Sequence, residues 1–228
     1  MKVLLTLKRS YQLSLQKYFD IGYNLRMRTG EGKLIVFEGI DGSGKTTISK
    51  LFSEYLSKNK INSSWFREPS DSKWGKKIRK LADLKDSIPI EDEFQYFLKD
   101  RKWDVKNNIN PALERGEIVI LDRYYFSSAC YQGARGLDVK KIIEENRKFS
   151  PEPDLLFLID VDIPTAMKRI KRSRVTEAKL FEKESFLLKV RKNYLELKYD
   201  FIWKIDGTGK IEKVTKEVIS VFEHTFLQ

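Results

Sequence analysis

The segment Gly39, Ile40, Asp41, Gly42, Ser43, Gly44, Lys45, Thr46 carries the clearest chemistry in the chain, and Thr47 follows it. Two glycines spaced by four residues, then lysine and threonine, make the Walker A pattern. Glycines let a backbone wrap tightly enough to aim its N–H groups at phosphate oxygens, and a following helix N-terminus adds partial positive charge. Lys45 in such a loop bridges the β- and γ-phosphates, and the Thr46 hydroxyl helps hold Mg²⁺. The setting agrees: an apolar run at 34–37 precedes the loop. The stretch 46–59 follows it, with Ile48, Leu51, Phe52, Tyr55 and Leu56 at helical spacing. ATP and Mg²⁺ are therefore the expected cofactors. The pattern does not name a second substrate, because ATPases, GTPases and small-molecule kinases share it. The Asn-Lys-x-Asp segment with which GTPases read guanine is absent from the sequence.

Further pairs have spacings that suit a second ligand. Asp122 and Arg123 close the apolar run 118–121, and ligands of open parallel sheets gather at such carboxyl ends. A guanidinium fork grips a phosphate better than an ammonium, so Arg123 suits a monophosphate, while Asp122 suits the Mg²⁺ shell or the fixing of Arg123. Phe97 and Arg101 stand four apart and project from one helix face. A ring there can stack on a base while the guanidinium donates to a base carbonyl; a core Phe beside a solvated Arg satisfies the same spacing.

Positioning these groups requires strands that end at one edge. Short apolar runs at 34–37, 65–66, 118–121, 155–159 and 201–205 alternate with helical stretches. Runs this short and rich in Val, Ile and Phe suit buried parallel strands. Asp162 and Pro164 mark a helix start. The expectation is an α/β chain with a five-stranded parallel sheet and helices on both faces, a three-layer α/β/α P-loop NTPase arrangement. With 228 residues and 41% hydrophobic composition, one domain is expected over 31–228. Residues 1–30 stand apart, with six Lys or Arg against the single acid Asp20. They read as an appendage without chemistry, and Met27 is an alternative start.

The net charge of +11 leaves open an anionic polymer or surface, or a polyanionic small substrate. The basic residues alternate with acids along the chain, so nucleic acid is not the expected partner. No run is long and apolar enough for a membrane span. Cys130 is the only cysteine, which excludes an intrachain disulfide and fits a reducing, cytoplasmic compartment.

In order and spacing, these segments resemble the thymidylate kinase family over roughly residues 33 to 222. The resemblance is carried by residues 37–47, by Arg67, Glu68 and Pro69, by Phe97 with Arg101, by Asp122, Arg123 and Tyr124, by Ser127, Ser128, Tyr131 and Gln132, and by Pro153 to Asp160. It implies transfer of a phosphoryl group from ATP to thymidine monophosphate by a homodimer. It also implies site roles: Asp41 near the sugar or a metal-bound water, Arg67, Glu68 and Pro69 lining the acceptor site, and Phe97 and Arg101 on thymine. Tyr131 would stand where a ribose 2′-OH would sit, and Ser128 and Gln132 near the base. The loop holds no arginine, so a basic helical lid at about 168–183 must supply the catalytic cation, with Arg172 and Arg174 the candidates. Here Leu180 stands where the family often has an arginine, and Ser70, Asp71 and Ser72 replace a frequent Gly-Gly-Thr.

Overall fold

The computed structural model describes residues 31–83, 88–170 and 177–227, leaving aside the side chains of 83 and 177–183. The expected extension 1–30, and with it Met27, lies outside the described residues, as do Arg172 and Arg174 of the expected lid.

Strand and helix alternate as β1 (Lys33–Glu38), α1 (Lys45–Lys58), β2 (Ser63–Arg67), α2 (Lys73–Asp83) and α3 (Ile90–Asp104). A π-helical turn (Val105–Ile109) leads to α4 (Asn110–Glu114), then β3 (Ile118–Asp122), α5 (Tyr125–Gly133), α6 (Val139–Arg147) and β4 (Leu155–Asp160). The chain continues through α7 (Ile163–Ile170), α8 (Glu177–Glu196), β5 (Ile202–Asp206) and α9 (Ile211–Phe226). The five strands form one sheet in the order β2-β3-β1-β4-β5, every pairing parallel. The sheet and its flanking helices are those the apolar runs predict.

The central strands are apolar throughout because both their faces are covered. Side chains alternate between faces along a strand. Leu34, Val36, Val119, Leu121, Leu156 and Leu158 therefore pack with α3, α5, α6 and α8, while Ile35, Phe37, Ile118, Ile120, Phe157 and Ile159 pack with α1 and α9. Phe52 of α1 lies edge-on to Phe222 of α9 at 5.0 Å and 5.7 Å from Phe37, so it pins two helices to β1. Truncation of such a ring to Ala costs about 3–5 kcal/mol. Asp162 accepts the Thr165 N–H at 2.6 Å, so the predicted helix start before Pro164 is the one formed.

Register brings the functional groups together. Phe37 pairs with Asp122, and Asp122 pairs with Arg67. Glu38, Arg67 and Asp122 thus end three adjacent strands at one level, and the glycine loop leaves the sheet from that level.

Candidate active site

The loop between β1 and α1 has Gly39, Gly42 and Gly44 at φ 143°, 81° and 96°, conformations closed to most side chains. Two of these glycines also leave no room. A Cβ on Gly39 would lie 2.4 Å from the Ile159 carbonyl oxygen, and one on Gly42 2.5 Å from that of Ala166. The loop is clamped between the end of β4 and α7. Arg169 of α7 tightens the clamp from outside, donating to the carbonyls of Ser43 at 3.0 Å and Gly207 at 2.8 Å.

Ser43 is buried in the loop, and Lys45, Thr46 and Thr47 form the first turn of α1. Lys45 is only 5% exposed, and its Nζ donates to the Ile40 carbonyl at 3.3 Å. Burial, reinforced by the nearby Arg123 charge, lowers the Lys45 ammonium to about 7, against the opposing pull of Asp41, Asp122 and Glu38. Phosphate oxygens at this nitrogen would favour its charged form. The Thr46 hydroxyl donates to Asp122 Oδ2 at 2.6 Å. Asp122 is fully buried, and its Oδ1 has no hydrogen-bond partner among the described residues. Arg67 reaches Asp122 Oδ2 at 3.6 Å from the end of β2.

Arg123 follows β3 at φ 75°, an uncommon backbone for a residue with a side chain. Its Nη2 pairs with Asp41 of the loop, its Nη1 donates to Ser127 Oγ at 3.0 Å, and its guanidinium lies 5.1 Å over the Tyr131 ring. The Tyr131 hydroxyl accepts the Asp41 N–H at 2.9 Å. The ring meets Phe186 of α8 edge-on at 6.0 Å. Asp41, Arg123 and Tyr131 are thus one connected group, and Arg123 stands beside the glycine loop.

Arg101 is 1% exposed on α3, not solvated. Its Nε and Nη2 donate to Glu68 at 2.9 and 2.6 Å, Nη1 to Asn146 Oδ1 at 2.6 Å, and Nη2 to Ser128 Oγ at 3.2 Å. Four of the five guanidinium N–H groups are spent on the described residues, which leaves one Nη1 hydrogen among them. Phe97 is half-buried one turn earlier on α3, and Pro69 follows Glu68. Gln132 is 2% exposed on α5, and its Oε1 has no partner among the described residues.

Several residues here had no role in the sequence reading. Glu38 is fully buried and accepts four hydrogen bonds. Asp100 is buried on α3 and takes the Ser70 N–H at 2.8 Å and the hydroxyls of Ser70 and Ser72 at 2.6 Å each. Ser72 Oγ in turn accepts the N–H groups of Trp74 and Gly75, capping α2. The departure at Ser70, Asp71 and Ser72 is therefore a structural tie between the loop after β2 and α3. The sequence signal for Glu38 was a carboxylate closing an otherwise apolar strand.

Comparison with known proteins places the chain in a family. The family model described as thymidylate kinase matches residues 37–218. A probable thymidylate kinase of Archaeoglobus fulgidus is 43% identical over 191 residues, covering 83% of this chain and 94% of that protein. A thymidylate kinase of Desulfotalea psychrophila is 38% identical over 193 residues, covering 85% of this chain and 95% of that protein. The crystal structure of thymidylate kinase from Ehrlichia chaffeensis superposes with a TM-score of 0.69 at 29% identity, covering 84% of this chain and 99% of that one.

Proposed function

Because the chain belongs to the thymidylate kinase family, and so phosphorylates thymidine monophosphate with ATP, we propose how its own residues divide that work. The glycine loop and Lys45 hold the phosphates of ATP. Arg123 holds the acceptor monophosphate, and the observation that supports this is its ion pair with Asp41, inside the donor loop itself. Donor and acceptor phosphates are thereby held side by side. Phosphoryl transfer asks the protein mainly for positioning and charge neutralisation, and the reaction proceeds by in-line displacement without a covalent intermediate. The acceptor base lies toward α3 and α5. There Phe97 stacks on it, the free Nη1 hydrogen of Arg101 meets a carbonyl, and Ser128 and Gln132 complete the wall with Glu68 and Pro69. Tyr131 stands against the sugar.

Thr46 and Asp122 fit Mg²⁺: a buried carboxylate oxygen without a partner beside a hydroxyl is the sparse oxygen set this ion takes when nucleotide phosphates complete its shell. Bound there, the ion would neutralise charge on the β- and γ-phosphates. Arg172 and Arg174 are the proposed lid cations, and a homodimer in the cytoplasm is the proposed form. No helix among the described residues is long and apolar enough to cross a membrane.

The test is ADP release with Mg²⁺-ATP against a panel of nucleoside monophosphates. Selective turnover of thymidine monophosphate is expected. Lys45→Ala and Arg123→Ala should each cost orders of magnitude in rate. Near wild-type turnover in either variant would overturn the phosphate assignments, and sedimentation as a monomer would remove the dimer.

A further inference from the structure

Glu38 is the last residue of β1, immediately before the glycine loop, and is 0% exposed. Four donors converge on its carboxylate. Oε1 accepts the N–H groups of Tyr124 at 2.8 Å and Ser127 at 3.0 Å. Oε2 accepts the hydroxyls of Ser127 at 2.6 Å and Tyr194 at 2.8 Å. The two N–H groups belong to the N-cap and first turn of α5, so a carboxylate from another strand supplies the cap that α5 lacks in its own sequence. α5 carries Ser128, Tyr131 and Gln132.

The Ser127 hydroxyl has one proton and spends it on Glu38, which leaves its lone pairs turned to other donors. Arg123 Nη1 takes one such position at 3.0 Å, and the Tyr194 hydroxyl lies 3.0 Å from the same oxygen. The chain of bonds from Glu38 through Ser127 to Arg123 is directional: the carboxylate fixes the rotor of the serine, and the serine oxygen fixes the guanidinium. Tyr194 of α8, the helix that follows the lid segment, ends on the same carboxylate.

We propose that Glu38 is a positioning residue for phosphoryl transfer, holding Arg123 through the Ser127 hydroxyl in the orientation that receives the acceptor phosphate. The inference rests on the assignment of Arg123 to that phosphate. Glu38 touches neither nucleotide in this scheme and acts only through the serine. In Glu38→Gln the carbonyl keeps both N–H groups of α5. The new amide, however, donates to Ser127 Oγ and competes with Arg123 for it.

The experiment is a kinetic cycle on the full chain. Ser127→Ala removes the relay without changing charge. It should lower kcat/KM for thymidine monophosphate about tenfold while leaving KM for ATP within about twofold, the size of one charge-assisted hydrogen bond. Ser127→Thr, which keeps the hydroxyl, should return to within about threefold of the wild type. Glu38→Gln should lose at least as much as Ser127→Ala. In an Arg123→Ala background, Ser127→Ala should add less than about twofold, because its target is gone. Three results would each overturn the relay: wild-type kcat/KM in Ser127→Ala, equal losses on both substrates with no rescue by threonine, or a full tenfold further loss in the Arg123→Ala background. If Arg123→Ala alone were without effect, the acceptor assignment would fall, which is a separate result read from the same cycle.

Discussion

The buried pair of Arg101 and Glu68 makes the sharpest energetic demand in the proposed acceptor site. Arg101 is 1% exposed and Glu68 3%. Burial pushes the Glu68 carboxyl up, and the Arg101 guanidinium opposes it. Arg101→Met deletes the donors to Glu68, Asn146 and Ser128 and leaves Glu68 buried away from water, either uncompensated as a carboxylate or forced to take up a proton. Removal of one partner of a buried pair costs about 3–5 kcal/mol. Glu68→Met strands the guanidinium and should cost the same order. The double variant strands no charge. It forfeits only the bonds of Arg101 to Asn146 and Ser128, about 1 kcal/mol each, and gains apolar contact in return. It should stand within about 2 kcal/mol of the wild type, which is a coupling of about 4 kcal/mol or more between the two sites. Urea unfolding of the four proteins at one pH, with the slopes compared, reads this directly. Thymidine monophosphate turnover in the stable double variant should stay low, because the remaining Nη1 donor is gone. Additive losses in the cycle would refute the reasoning, for they would mean that each charge is compensated by something other than its partner.

Three smaller perturbations probe neighbouring parts. Gly42→Ala sets a Cβ 2.5 Å from the Ala166 carbonyl oxygen at φ 81°, so ATP affinity measured by calorimetry should fall at least about tenfold, and unchanged affinity would contradict the clamped loop. Ser72→Ala removes both the α2 cap and a donor to buried Asp100, so urea unfolding should show a loss of about 2–3 kcal/mol, and a loss under about 0.5 would argue against the tie. Burial, opposed by the Asn108 amide, raises Asp104 from 3.8 to about 6, so its share of stability is present below pH 3.8 and is lost as pH rises through 6. Relative to Asp104→Asn, the wild type should lose up to about 3 kcal/mol between pH 4 and 7, and parallel pH profiles for the two would exclude a buried titration there.

The sequence made the donor half of the site legible because local geometry suffices there. A tight phosphate loop needs glycines at fixed offsets, and Lys45 and Thr46 follow it directly, so composition and spacing carry the reading. The five strands were equally plain, since burial on both faces writes continuous apolar runs such as residues 118–121. The proposed acceptor half is only partly legible. Asp122 and Arg123 announced themselves as charges at the end of a buried strand. Arg101, however, reads identically whether it is solvated or buried, and its burial depends on Glu68, 33 residues away, and Asn146, 45 away. Asp100 reads as a surface acid until Ser70 and Ser72 are seen to face it.

Glu38 shows why such residues stay hidden. Its four donors come from positions 86, 89 and 156 residues further along the chain, brought in by α5 and α8. No local pattern encodes a carboxylate that caps another element's helix. The clue the sequence does hold is energetic: a strand that is apolar on both faces has no water for a carboxylate at its end, so the charge must be met by donors from elsewhere in the fold. The same reasoning applies to Asp122 on β3, where the described residues supply Thr46 and Arg67 and leave one oxygen without a partner among them. At one level of the sheet, then, two buried carboxylates end adjacent strands. Glu38 has its acceptor positions filled by protein, as the proposed anchor needs, while Asp122 keeps one oxygen without a partner among the described residues, as the proposed ion site needs.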